Sequence, residues 1–111
     1  MAAAYLEPLV SLLEHLQLEQ MLDCKIECRH FFSGAALYAD GHICASWSPV
    51  GLAFKLSSIE ATELIANGSA KPLKYFPKGA VKKDYVLFEN PLQYPAQKWK
   101  PYFIKAIEQR R

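Results

Sequence analysis

The sequence predicts an α+β domain in which helices pack on a mainly antiparallel sheet, in the order α-β-β-β-α-β-β-α. Two patterns predict it: apolar residues recur every three or four positions in three segments, and five more segments are short apolar runs or alternate apolar residues with others. Turn signals join consecutive segments of the second kind, and strands connected by tight turns pair antiparallel. With 111 residues, 51% of them apolar and 22% charged, the chain suits one domain over 1–111 with a single core.

The first segment is predicted to be an amphipathic helix from Tyr5 to about Leu22. Its leucines and valine fall at helical spacing, and glutamates lie between them. Pro8 fits best in a first turn, where its missing N–H has no partner to lose. The helix is therefore expected to start near Leu6.

The pattern then changes to alternation, with Lys25, Glu27 and Arg29 on one side of a segment that leads into the first strand. That strand ends at Asp40-Gly41, a two-residue turn signal, because both central positions need positive φ. The turn predicts the pairs Ala39–His42, Tyr38–Ile43, Leu37–Cys44, Ala36–Ala45 and Gly34–Trp47. One face of this hairpin would then carry its three bulky residues, Tyr38, Ile43 and Trp47, beside small ones, and a helix is expected to pack there.

The middle of the chain reads as turn, strand and helix. Residues 48–51 form a turn sequence, and Leu52–Leu56 alternates as a third strand. Ser57 and Glu60 have the spacing of a capping box for the helix that follows, and Asn67-Gly68 supplies a left-handed stop.

The last third returns to alternation and ends in a helix. Pro72–Phe76 and Val81–Phe88 are predicted strands joined by a turn at residues 77–80. The terminal helix is expected to begin at about Lys100, because Pro101 is tolerated in a first turn. Its apolar stripe comprises Trp99, Tyr102, Phe103, Ala106 and Ile107.

The hairpin also carries a family motif. The pattern M-F-G-G-x-G-L-Y-x-D-G is matched at Phe32, Gly34, Leu37, Tyr38, Asp40 and Gly41, whereas Phe31, Ser33 and Ala36 depart from it. In these residues the chain resembles the N-terminal domain of TfoX, also called Sxy, a bacterial family of competence regulators. Less specific matches to the family cover most of the remaining chain, at Leu52–Lys55, Pro72–Tyr75, Lys78-Gly79 and Tyr102–Ile107.

That resemblance implies a fold similar to type III secretion chaperones. It also implies a stand-alone N-terminal module, since no second, DNA-associated domain follows in this sequence. Full-length members of the family act on transcription alongside the cyclic-AMP receptor protein, so a regulatory role is implied. No catalytic residue carries over.

Cysteines and histidines near the hairpin invite comparison with a zinc site. Cys24, Cys28, His30, His42 and Cys44 are of the right residue types. In the predicted register, however, His30 lies about 30 Å back along an extended strand from the turn. The sequence therefore predicts no metal site, and three cysteines without a CxxC pair predict free thiols in a reducing compartment.

Signals for catalysis are weaker still. Gly34 stands alone in a strand and opens no helix, so packing beside Trp47 explains it better than phosphate binding does. Glu60 and Glu63 belong to a solvated helix face, and Asp40 belongs to the turn. No cysteine occupies a recognisable nucleophile elbow. The sequence predicts a protein that is not an enzyme and takes no cofactor.

Charge is distributed unevenly along the chain. Residues 1–70 hold three Lys or Arg against eight Asp or Glu, and residues 71–111 hold ten against three. The basic residues that define a candidate interaction surface are Lys71, Lys74, Lys78, Lys82, Lys83, Lys98, Lys100 and Lys105. Such an asymmetry suits an acidic protein partner, a second copy, nucleic acid, or a face that is only solvated.

These observations favour a non-catalytic regulatory or adaptor module that acts through protein–protein contact, in transcription or competence regulation. A nucleic-acid-associated module that uses the basic C-terminal half is the alternative. Six Phe, six Tyr and two Trp are many aromatic residues for one small core, which predicts a homodimer. The chain has no apolar run of about 20 residues and no basic signal-peptide region, so a cytoplasmic protein without a membrane partner is expected.

Overall fold

The computed structural model describes residues 3–18, 24–31, 34–74 and 81–109. The helices within these ranges are α1 (Ala3–Leu16), α2 (Ser58–Ala66) and α3 (Lys100–Glu108). The strands are β1 (Ile26–Phe31), β2 (Gly34–Ala39), β3 (His42–Ser48), β4 (Gly51–Lys55), β5 (Lys71–Leu73) and β6 (Lys82–Phe88). Two 3-10 turns, Pro91–Gln93 and Ala96–Trp99, lead into α3.

All six strands belong to one antiparallel sheet, in the spatial order β1-β2-β3-β4-β6-β5. The three helices share one hydrophobic cluster with one face of this sheet, and fully buried side chains such as Leu9, Leu37 and Phe54 lie between the two layers. The predicted two-layer α+β class is therefore confirmed. We call the sheet face opposite the helices the outer face.

The sheet has one strand more than predicted, so the order becomes α-β-β-β-β-α-β-β-α. The alternating segment around Glu27 does not merely lead into the first strand of the hairpin. It forms β1, which pairs with β2 so that Phe31 lies opposite Gly34 and Ile26 lies opposite Ala39. The predicted alternation itself is confirmed, because Ile26 and Cys28 pack against the main core.

The Asp40-Gly41 turn is confirmed, with φ angles of 49° and 84°. The Asp40 side chain also anchors β1, since the backbone N–H of Lys25 donates to Asp40 Oδ1 at 2.9 Å. The backbone N–H of Asp40 donates in return to the Lys25 carbonyl at 2.8 Å. This short side chain thus connects three strands at one turn.

Register in the β2–β3 hairpin is as predicted only beside the turn. The Ala39–His42 and Tyr38–Ile43 pairs are confirmed, but an irregularity at Leu37/Tyr38 gives Leu37–Ala45, Ala36–Ser46 and Ala35–Trp47 instead of the predicted pairs. The extra residue on β3 is Cys44, and an inserted residue reverses the face on which all later side chains lie. Trp47 therefore packs in the helix-side core, whereas the predicted face joined it with Tyr38 and Ile43.

Gly34 is required for a different reason from the one predicted. It does not lie opposite Trp47 and does not make room for the indole ring. A Cβ atom at Gly34 would overlap the backbone carbonyl oxygen of Trp47 and lie 2.8 Å from Ser48 Cα. The β2 backbone therefore approaches the end of β3 too closely for any side chain.

Helix α1 starts earlier than predicted. It begins at Ala3, so Pro8 is an interior residue and not part of the first turn. The alanines at the start favour helix strongly enough to extend it before Pro8, whose missing N–H leaves one helical hydrogen bond unmade. Gln17 has a φ of 57° and ends the helix at Leu16. The predicted end near Leu22 lies outside the described residues.

Helix α2 has both predicted caps. The Ser57 side chain accepts the backbone N–H of Glu60 at 3.2 Å, and its hydroxyl donates to Glu60 Oε1 at 3.3 Å. At the other end, the backbone N–H of Asn67 donates to the Glu63 carbonyl, and Gly68 has the positive φ that stops the helix. Local spacing alone was enough to predict these boundaries.

The last two strands are shorter than predicted. β5 ends at Leu73, β6 begins at Lys82, and the predicted turn at 77–80 lies outside the described residues. Asp84 has a φ of 67°, and its carboxylate accepts a hydrogen bond of 2.8 Å from the Ser58 hydroxyl. This contact links β6 to the first turn of α2.

Helix α3 completes an aromatic core. It begins at Lys100 as predicted, and Trp99, Phe103, Ala106 and Ile107 of its apolar stripe are buried while Tyr102 is half-buried. The Phe54 ring lies 4.9 Å from that of Phe103 and 6.1 Å from that of Trp99. Of the described aromatic side chains, Trp47, Phe54, Phe88, Trp99 and Phe103 are thus buried inside one chain. Among the residues described, no helix is long and apolar enough to cross a membrane.

Candidate interaction surface

A second apolar cluster lies on the outer face, at the end of the sheet formed by β4, β6 and β5. It consists of buried Ala53, Leu73 and Leu87, with half-buried Val50 and Tyr85 packed against them. These residues alternate with the core residues of the same strands, as expected for a sheet with two apolar faces. None of the helix side chains that the structure describes belongs to this cluster.

A groove of about 700 Å³ borders this cluster, between the β3–β4 turn and β5. Apolar groups line much of it, and charged or amide side chains complete it; the lining residues are Pro49, Val50, Lys71, Pro72, Lys74, Val81, Leu87, Glu89 and Asn90. Val81 is 53% exposed, a high value for a large apolar side chain. An apolar surface with a few polar groups at its rim is the usual character of a binding site.

The rim of this groove is basic. Lys71 Nζ lies 2.7 Å from Glu89 Oε1, and both side chains are more than half exposed. An exposed pair of this kind contributes at most about 1 kcal/mol to stability, so it can rearrange when a partner binds. Lys74 is exposed on the same rim. Two lysines against one glutamate favour a ligand that carries carboxylates.

The predicted basic surface is divided between several environments. Lys83 is exposed on β6, whereas Lys78 and the side chain of Lys82 lie outside the described part of the chain. Lys98 lies over the Tyr94 ring, 4.5 Å from its centroid, and Lys105 Nζ lies 3.0 Å from Glu60 Oε2. Lys100 is half-buried at the start of α3. Of the eight lysines, the structure brings Lys71 and Lys74 together on the groove.

The hairpin residues singled out from the sequence have structural roles. Asp40 and Gly41 make the turn, Gly34 permits close strand approach, and Trp47 belongs to the core. Tyr38 lies on the outer face, where the Arg29 guanidinium is 5.0 Å from its ring centroid.

Cysteine and histidine side chains are not gathered into a site. Because β1 folds back on β2, the long separation predicted for His30 is wrong. Across the described ranges, however, no three His, Cys, Asp or Glu side chains could hold a metal ion together. No disulfide joins the three cysteines, and Cys44 is buried with its thiol donating to the His42 carbonyl at 3.4 Å.

Three charged side chains form a line on β1 and the residue before it. Glu27 Oε2 accepts a hydrogen bond of 3.1 Å from Arg29, and Glu27 Oε1 lies 3.7 Å from Lys25 Nζ. The hydrogen bond from Arg29, together with the positive charges of Arg29 and Lys25, lowers the pKa of the Glu27 carboxyl. The acid therefore stays ionised to lower pH than an isolated glutamate.

A pH titration of the Glu27 side chain checks this charge line. We expect its carboxyl carbon to titrate by NMR at a lower pH than a free glutamate, and Arg29→Ala to move the midpoint upward. Because the folded-state pKa is lowered, the stabilisation is present above the unfolded pKa and is lost as the pH falls through the folded one. An unchanged midpoint in Arg29→Ala would contradict the assignment.

The apolar part of the groove is not apparent from the sequence. Val50 falls in a predicted turn and Val81 and Leu87 fall in a predicted strand, but no sequence pattern brings them together. Their proximity depends on β6 pairing with β4 and not only with β5. An apolar residue in a turn, as at Val50, was the one available signal.

Fold and surface together define a small two-layer α+β domain with a partly apolar groove on its outer face. Comparison with family models gives the assignment: residues 17–109 match the TfoX N-terminal domain. The chain therefore belongs to the TfoX N-terminal domain family, which suggests a regulatory or competence-related domain and is not a known catalytic family. No curated protein matches the chain.

Proposed function

We propose that this protein is a non-catalytic regulatory or adaptor module that binds an acidic segment of a protein partner in the groove. The observation that carries the proposal is the groove itself, because it combines exposed apolar side chains with a basic rim. A partner segment with one medium-sized apolar side chain flanked by carboxylates would fill the space beside Val50 and Val81 and pair with Lys74.

Affinity and specificity would come from different parts of this surface. Burial of an apolar side chain contributes about 25 cal/mol per Å², so the apolar lining supplies most of the binding free energy. Lys71 and Lys74 would select carboxylates and raise the association rate. Glu89 adds a further requirement, because an acidic ligand must compete with it for Lys71.

A non-catalytic role agrees with the polar chemistry of the described residues. The Ser57 hydroxyl is engaged in capping α2, and the Ser58 hydroxyl donates to Asp84. The Cys44 thiol is buried beside the His42 carbonyl. Each of these groups is accounted for by a structural contact, which leaves binding as the function that the surface supports best.

Site-specific photo-crosslinking in the native host tests the proposal. A photoreactive residue at Val81 is expected to give a discrete protein adduct, and Lys74→Glu in the same chain is expected to reduce that adduct about tenfold. The matched control places the same residue at Ile59, which is 72% exposed on α2. The adduct seen at Val81 should be absent there, because α2 lies on the other side of the sheet.

Equal adducts at both positions, or an adduct that survives Lys74→Glu, would overturn the groove as the site. The nucleic-acid alternative is examined with the same variants. If the unmodified chain retards duplex DNA in low salt, and Lys74→Glu abolishes the retardation, the basic rim serves DNA and not a protein. Absence of retardation in low salt would remove that alternative.

A further inference from the structure

The two edges of the sheet differ in their capacity to accept another strand. β1 lies at one end of the strand order, and no described strand pairs with its outer side. β5 lies at the other end, has three residues, and contains Pro72, which has no N–H to donate. A six-residue edge strand is a template for pairing with a further chain, whereas β5 is a poor one.

The hydrogen bonding of β1 with β2 determines which of its backbone groups point outward. Lys25 bonds to Asp40 through its carbonyl, and bonded pairs alternate along an antiparallel ladder. Glu27 and Arg29 therefore direct their backbone groups toward β2. The N–H and C=O groups of Ile26 and His30 point out of the sheet, in the direction from which a new strand would pair.

We propose that β1 pairs antiparallel with β1 of a second copy of this chain, about a two-fold axis at Cys28. In this arrangement Ile26 lies opposite His30 of the second copy, and each such pair exchanges both of its backbone hydrogen bonds. Glu27 lies opposite Arg29 of the second copy on the outer face. The two-fold axis generates the equivalent contact between Arg29 of the first copy and Glu27 of the second. The resulting interface is isologous, as closed dimers require.

The charges on β1 select this register over its neighbours. A residue whose backbone groups point out of the sheet must pair with another such residue of the second copy. The second strand can therefore shift only in steps of two residues, and each step moves the two-fold axis by one residue. With the axis at Glu27 the two Glu27 side chains would face each other, and with the axis at Arg29 the two guanidinium groups would do so. Like charges directly opposite destabilise a pair of strands, and opposite charges stabilise it. Of these three registers, the one with the axis at Cys28 makes both outer-face contacts between Glu27 and Arg29 attractive.

The side chains concerned are already oriented for this contact. Arg29 and Glu27 are 56% and 36% exposed, and the hydrogen bond between them holds both on the outer face. In the dimer, each carboxylate would lie between the Arg29 of its own chain and that of the second copy. Four charges of alternating sign would form a square, in which every side of the square is an attractive contact.

The proposed dimer leaves the groove accessible. β1 is separated from the groove by β2 and β3, and the groove is formed from the β3–β4 turn, β5 and β6. Failure of one proposal therefore does not imply failure of the other, because the crosslink at Val81 and the association of β1 are measured separately.

Charge reversal on β1 tests the proposal by sedimentation equilibrium at micromolar concentrations. The unmodified chain is expected to dimerise, and Glu27→Arg or Arg29→Glu alone to weaken the dimer about tenfold or more, since the axis makes each substitution act twice. The double variant Glu27→Arg/Arg29→Glu restores the alternating square with signs exchanged. We expect it to recover the association of the unmodified chain.

Lys105→Glu is the matched control, because it reverses one charge of an exposed ion pair with Glu60 away from β1. It should leave association unchanged, and thermal melting should show that every variant is folded. A monomeric unmodified chain would overturn the proposal. A dimer insensitive to both single reversals would do so too, as would a double variant that stays monomeric while folded.

Discussion

Gly34→Ala is expected to destabilise the domain by about 3 kcal/mol or more, at or above the upper end of the usual cost of overpacking. The added methyl group would overlap the Trp47 carbonyl oxygen and lie 2.9 Å from Ser48 Cβ. A backbone carbonyl cannot move aside as the end of a flexible side chain can, so β2 and β3 would have to separate. Thermal unfolding should show a decrease in Tm of more than about 10 °C.

Gly41→Ala is the matched control, because it also replaces a glycine of the same hairpin. Gly41 has a φ of 84° with nothing within 4 Å of the added atom. Only backbone strain is then expected, at a cost of about 1–2 kcal/mol. Equal losses of stability in the two variants would contradict the close-approach explanation for Gly34.

Phe54→Ala is expected to lower the free energy of unfolding by about 3–5 kcal/mol, a large part of the 5–15 kcal/mol typical of a domain. Phe54 is fully buried in β4. Its ring lies between 4.9 and 6.1 Å from the rings of Phe103, Tyr102, Trp99 and Phe88. Truncation would leave a cavity bordered by rigid rings that cannot collapse into it. Urea denaturation followed by tryptophan fluorescence measures the change.

Leu92→Ala provides the comparison for Phe54→Ala. Leu92 is also a large apolar residue, but it is 84% exposed in the 3-10 turn before α3. Its truncation should change the free energy of unfolding by less than about 0.5 kcal/mol. If Phe54→Ala cost no more than this, the aromatic cluster would not be the main source of stability.

The aromatic cluster changes the argument for a dimer. The number of aromatic residues suggested that some would be left for an interface, but Phe54, Phe88, Trp99 and Phe103 fill the core of one chain. The dimer proposed here depends instead on an edge strand whose charges are self-complementary. It would present two grooves, one from each copy, at the outer ends of a continuous sheet.

The sequence was sufficient to predict those features that depend on interactions between residues close together in the chain. Ser57 and Glu60 interact across three residues, and Asp40-Gly41 forms its turn within one residue pair. The charge pattern on β1 was also visible, since Lys25, Glu27 and Arg29 alternate with apolar residues. What the pattern did not show was that this segment is a separate strand at the edge of the sheet.

The sequence alone determines the fold class, the turn, the helix caps and the family motif of this protein. These features depend on spacings of a few residues, and such spacings are written directly in the chain. The inserted residue at Cys44, the pairing of β6 with β4, and the groove beside Val50 were decided only by the tertiary structure. They depend on which distant segments meet, because the free energy that selects those contacts comes from packing between strands and helices and not from local periodicity.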